Sequence, residues 1–205
     1  ATAHANEGSE VRLSSSLSNG ELVVPLAHDT PFAGDDSWAN YAFGVVAKYR
    51  DAGYPVSGFD IAFESNLPSG AGLSSSAALE TATALIVEGL LGLDLSLRER
   101  ALLCQGAEHD WAGVPCGIMD QFAVNFGIDG HALAIDCGTL EITPAPIPRD
   151  LAIVIIDSRV KHALADGEYA KRREDCESAA AFFGVEFLRD VTLKQLDSAR
   201  NDLGE

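Results

Sequence analysis

The sequence is poor in positive charge and in sulfur. Fourteen Lys and Arg face 31 Asp and Glu, a formal charge of −17. A surface of that sign argues against nucleic acid or an anionic membrane as the main partner. An anionic ligand would have to be held locally, by backbone N–H groups, a divalent cation and a few placed basic side chains. The four cysteines, Cys104, Cys116, Cys137 and Cys176, are spread out with no C-x-x-C pair, which argues against a disulfide framework or a zinc site. Their apolar or mixed surroundings predict free buried thiols in a reducing cytoplasm. No apolar run reaches the length of a membrane-spanning helix, and no basic-then-apolar leader opens the chain, so a cytoplasmic protein is expected.

Repeats, low-complexity stretches and linkers rich in Pro, Gly or Ser are also missing, which predicts a single α+β domain over 205 residues. With 47% hydrophobic residues and a mean hydropathy of +0.08, the chain can bury a sizeable core. Strands are predicted near 11–16, 21–26 and 57–65, and a helix over 38–53 from Trp38, Tyr41, Val45 and Tyr49 at spacings of three and four. A helix is expected over 75–91, ended by Gly92. Ser96-x-x-Glu99 forms a capping box that starts another, running to about Trp111. Apolar runs at 132–136 and 151–157 follow, the second reading as a fully buried strand. An amphipathic helix near 166–183 and a short one near 192–201 complete the pattern.

Leu67-Pro68-Ser69-Gly70-Ala71-Gly72-Leu73-Ser74-Ser75-Ser76-Ala77-Ala78 is the most informative stretch. It joins an alternating strand to an Ala/Leu-rich helix. Its glycines permit positive φ and close approach of a ligand, and its serines open a helix where free N–H groups and the positive dipole end converge. That is a recipe for an anion site. A serine-capped helix is the plain alternative, but two glycines and three serines exceed what it needs. No Lys-Ser/Thr follows the glycines, so the loop is not of the Walker type.

Glu108 shares one stripe with Leu97, Ala101, Cys104 and Ala112, so its carboxylate points inward. A buried carboxylate needs a cation, a metal or several hydrogen bonds; a structural pair with an Arg or Lys is one reading and a Mg²⁺ ion a strong competitor. Asp120 follows the turn Gly117-Ile118-Met119 and fits either a cap or a general base. Lys161 follows the apolar run 151–157, at a place that suits the mouth of a cleft. Lys171-Arg172-Arg173 reads as solvated helix surface, and His109 and His162 as ordinary surface or core histidines rather than metal ligands.

The pattern Pro68-x-x-x-Gly72-Leu73-x-Ser75-Ser76-Ala77 resembles the central motif of the GHMP small-molecule kinases. Cys104-Gln-Gly-Ala-Glu-His109, Gly113-Val-Pro-Cys-Gly-Ile-Met-Asp-Gln-Phe122, Ala132-Leu-Ala-Ile-Asp-Cys137, Ser158-Arg-Val-Lys161-His162, Glu168-Tyr169 and Arg172-Arg173-x-x-Cys176-Glu177 resemble the galactokinase branch. The resemblance runs from about Trp38 to Asn201. It implies the GHMP kinase fold, an α+β architecture whose N-terminal half is like domain 2 of ribosomal protein S5, with a mixed sheet and packed helices. It also implies ATP-dependent phosphorylation of the C1 hydroxyl of galactose.

In that pattern Pro68, Gly70, Ala71, Gly72, Leu73, Ser74, Ser75, Ser76 and Ala77 wrap the triphosphate, and Trp38 lies beside the adenine. Ser76 (or Ser75) and Glu108 hold Mg²⁺. Asp120 is the base or orienter at the sugar hydroxyl, with Lys161 near it, and Gly117 and Tyr169 contact galactose. Two related readings are a kinase for a similar sugar such as N-acetylgalactosamine and a non-catalytic galactose and ATP sensor. A monomer is expected.

Two family motifs are missing: the N-terminal Gly-Arg-x-Asn-Leu-Ile-Gly-Glu-His-x-Asp-Tyr and the C-terminal glycine-rich segment. Residues 1–205 are therefore expected to be the central portion of such a kinase, truncated at both ends. Most of it would be the N-terminal nucleotide-binding domain, with a second domain beginning after about residue 150. Little or no activity is expected of the isolated chain.

Overall fold

A computed structural model describes residues 1–16, 18, 20–68, 70–156 and 168–200, the side chains of residues 168 and 169 excepted. It divides into two compact units, Ala1–Ala163 and Leu164–Glu205.

In the first unit, period-two alternation sets the sheet. Strand β2 (Glu10–Ser15) buries Val11 and Leu13, and β4 (Phe59–Phe63) buries Phe59, Ile61 and Phe63, so each presents one apolar face. The sheet order is β1-β4-β2-β3, with β1 at Thr2–Ala5 and β3 at Glu21–Pro25. Strands β2 and β4 run parallel, and the outer pairings are antiparallel. Helices α1 (Ala39–Asp51), α2 (Ser75–Leu91) and α3 (Leu97–Asp110) complete this core. Helix α1 buries most of its residues, including Phe43 and Tyr49. A Cβ on Gly44 would lie 2.8 Å from Trp111 Cβ, so only glycine lets α1 and the end of α3 approach this closely.

The predicted helix boundaries hold well. Helix α2 spans Ser75–Leu91 and ends on Gly92 at φ +66°, and the Ser96–Glu99 capping box is formed in both directions. Helix α4 (Met119–Phe126) carries Asp120 in its first turn, at a place where the sequence left helix or turn open. It packs Phe122 against Ala101 and Ile118, with Ile135 and Ile142 of the hairpin β5 (His131–Asp136) and β6 (Glu141–Pro146) at the edge of that cluster. Strands β1 and β6 were not anticipated. The first is mostly exposed, and the second carries Pro144 and Pro146, tolerated because β6 is an edge.

Three expectations fail. Residues 151–156 form no regular structure, and Leu151, Ile153, Val154, Ile155 and Ile156 are all exposed rather than a buried strand. Among the described residues no strand pairs with them, so the apolar run has nothing to bury it. Cys104 and Cys116 are buried free thiols, but Cys137 and Cys176, though free, are exposed. In the second unit the expected helix is present as α5 (Glu168–Phe183), yet its apolar and charged residues are not sorted onto opposite faces, and nearly all of its described side chains are exposed. The unit ends in α6 (Leu193–Ala199), begun by a Thr192–Gln195 capping box.

Candidate active site

The loop between β4 and α2 takes the backbone its glycines permit. Gly70 and Gly72 sit at φ +73° and +71°, with open space where a Cβ would point. Ser74 is also left-handed, at φ 52° and ψ 36°, where a side chain is uncommon. Its hydroxyl does not cap α2; it donates to Asp120 Oδ1 at 2.7 Å. Ala78 N–H bonds to the Ser74 carbonyl, and the N–H groups of Ser75, Ser76 and Ala77 precede it in the first turn without a side-chain cap. That leaves donors and the positive dipole end for an anion. Pro68, Gly70 and Gly72 are exposed, Ala71 and Leu73 to Ser76 half-buried, and Ala77 buried. No hydrogen bond engages the Ser75 or Ser76 hydroxyl among the described residues.

Glu108, at the end of α3, is buried as its stripe predicted. Among the described residues its partner is not a cation. Gln121 Nε2, on α4, donates to Glu108 Oε2 at 2.6 Å and to Glu80 Oε2, on α2, at 3.0 Å. One amide thus bridges two buried carboxyls, and Gln121 is the neighbour of Asp120. Burial, and then the charge of Glu108, push the Glu80 carboxyl far above the usual carboxylate range. The same acids raise the Tyr41 phenol and the Cys116 thiol, burial being the larger cause for each. The loop before Asp120 is pinned to α3: His109 Nε2 donates to the Cys116 carbonyl at 2.7 Å, and Gln105 Nε2 donates to it at 3.2 Å. That assigns His109 the structural part expected of it.

The model for the GHMP kinases N terminal domain matches residues 40–128. Residues 40–128 belong to the GHMP kinases N terminal domain family. It is 45% identical to the galactokinase of Homo sapiens over 183 residues, covering 88% of this chain and 46% of that protein. Over 200 residues it is 43% identical to the galactokinase of Streptomyces coelicolor, 95% of this chain and 51% of the other. The crystal structure of Lactococcus lactis galactokinase complexed with galactose superposes with a TM-score of 0.80 at 26% identity, covering 99% of this chain and 54% of that one. The chain spans about half the length of the curated relatives it matches. Its fold is the GHMP kinase fold, a mixed sheet with packed helices.

Of the residues expected in the site, the structure joins Ser74 to Asp120 directly and Asp120 to Glu108 through its neighbour Gln121. Gly117 precedes α4 and is exposed. Trp38 sits at the start of α1, half-buried and edge-on to Phe63 with ring centres 6.4 Å apart. Lys161 and His162 lie outside the described residues; Tyr169 lies on α5, its side chain outside them.

Glu80 and Gln121 are the members that sequence reasoning missed. Glu80 falls on the buried stripe Ala77, Glu80, Ala84, Val87 of α2, the same signal that exposed Glu108. Gln121 became visible only with α4, which places it and Phe122 inward.

Among the described residues no group of three or more His, Cys, Asp and Glu forms a metal cage, and no helix is long and apolar enough to cross a membrane. The donor set nonetheless suits a hard cation held jointly with phosphate. Among the described residues Glu108 is a buried carboxyl without a cationic partner, and beside it Gln121 Oε1 is a buried acceptor with no hydrogen bond.

Proposed function

We propose that the gene product carrying this chain transfers the γ-phosphoryl group of ATP to the C1 hydroxyl of galactose. The observation that carries this reading is the joining of loop and acids. The phosphate-type loop ends on Ser74, which holds Asp120, and Gln121 beside Asp120 holds Glu108. The galactokinase-type motifs and the galactokinases named among its relatives support the choice of sugar.

In this reading the backbone N–H groups of Gly70–Ala77 bind the phosphates, and Ser76 with Glu108 holds Mg²⁺. Mg²⁺, when bound, neutralises phosphate charge. Trp38 lies against the adenine. The family resemblance also assigns sugar contacts to Gly117 and Tyr169 and a basic role at the proton acceptor to Lys161. Asp120 takes the proton of the attacking hydroxyl and orients its oxygen toward phosphorus. Phosphoryl transfer asks little covalent chemistry of the protein, so its rate rests on positioning and charge. The nucleotide part occupies most of the chain, with a second domain beginning after about residue 150.

Asp120→Asn tests this. Galactose-dependent ADP release by the complete gene product should fall about a hundredfold or more, with Mg-ATP affinity by calorimetry nearly unchanged. Glu108→Gln should remove the Mg²⁺ enhancement of ATP binding. An Asp120→Asn protein that still turns over removes the base assignment.

A further inference from the structure

Ser74 combines three features that phosphate binding by backbone N–H groups does not account for. A left-handed residue in such a loop is most easily glycine, as at Gly70 and Gly72; here the position carries a side chain at φ 52°. Serine before a helix ordinarily caps it, yet this hydroxyl makes no capping bond. It reaches 46 residues along the chain to Asp120 Oδ1, at 2.7 Å. Asp120 is only half-buried and stands in the first turn of α4, so nothing in its own helix fixes its rotamer.

We infer that Ser74 is a positioning residue for Asp120, its hydroxyl fixing Oδ1 so that Oδ2 is presented to the acceptor hydroxyl. The inference rests on Asp120 being the base. The left-handed backbone at Ser74 is what turns the side chain away from α2 and across to α4. The segment that cradles phosphate thereby sets the angle of the proton acceptor, and donor and acceptor substrates meet in one register. A small rotation of a base costs much of its rate even where binding is untouched.

The test compares Ser74→Gly and Ser74→Ala in the complete gene product. Both delete the hydroxyl; glycine relieves the left-handed backbone, so loss shared by both is not loss of folding. Both should lower kcat about tenfold to a hundredfold, with the KM and the calorimetric Kd for Mg-ATP unchanged within about twofold. In an Asp120→Asn background, Ser74→Gly should lower kcat no further. A weakened Mg-ATP affinity with kcat intact would instead put the hydroxyl on the nucleotide and overturn the inference. Parent-like kcat in both variants, with Asp120→Asn inactive, would overturn it while leaving the base in place. Turnover surviving Asp120→Asn would remove the base assignment itself.

Discussion

Helix α2 buries two glutamates eight residues apart, about 12 Å along its axis, and the protein treats them in opposite ways. Glu88 receives Arg100 through two charge-assisted bonds, Nε to Oε1 at 2.8 Å and Nη2 to Oε2 at 2.5 Å, and the Tyr49 hydroxyl donates to Oε1 as well. Glu80 receives one amide hydrogen, from Gln121, and has a second carboxyl, Glu108, against it. The surroundings of Glu88 close its charge account. Glu80 and Glu108, at the end of α2 nearer the glycine–serine loop, share one amide, and Glu80 stays neutral by keeping its proton. Among the described residues the fold supplies a guanidinium to Glu88 and none to Glu80 or Glu108, so the two ends of this helix differ in how their buried acids are satisfied.

Breaking the satisfied end should have the largest effect on stability. Arg100→Met strands the Glu88 charge in the core, and urea unfolding should show a loss of about 3–5 kcal/mol. The opposite sign is expected at the other end. The unfolded chain releases the Glu80 proton near the ordinary value of 4.5, whereas the folded chain retains it well above that value. The contribution of Glu80 is therefore whole below about pH 4.5 and is lost as pH rises toward the folded value. Glu80→Gln keeps an acceptor for Gln121 and cannot ionise. It should flatten that decline and exceed the parent by about 1–3 kcal/mol at pH 8; an unchanged pH slope would mean that Glu80 is ionised in the fold. Smallest should be Lys48→Ala, which removes an ion pair with the largely exposed Asp110. It should cost less than about 1 kcal/mol, much of it screened away in added salt.

The same two acids mark where the sequence could be read. Inward-facing Glu108 was legible because three-and-four spacing names the face of a helix, and the glycine–serine loop because positive φ and free N–H groups follow from residue type. Helix α2 was read from its opening serines and closing Gly92, and α3 from its capping box. What could not be read was pairing at a distance. Ser74 and Asp120 are 46 positions apart, and Gln121 meets Glu80 across 41; no local pattern records either. The buried strand expected at 151–157 failed for a related reason. Composition says that a segment is fit for burial, but only neighbouring elements can bury it, and the described residues provide none. Edge strands β1 and β6 escaped because their polar residues and prolines obey the solvent on their open side.

The exposed run Leu151–Ile156 has a consequence for the 205-residue chain as a material. Six residues without charge or proline, rich in β-branched side chains and open to solvent along their length, make a template for strand addition by any chain that meets them. The strongly acidic surface keeps molecules apart in dilute solution, but that repulsion is screened at physiological salt. Solubility should therefore fall with ionic strength rather than rise, and fall faster with concentration, because two copies must meet before the strands can join. A gatekeeping charge within the run, as in Ile155→Lys, should lift that ceiling without touching the face where α2, α3 and α4 meet.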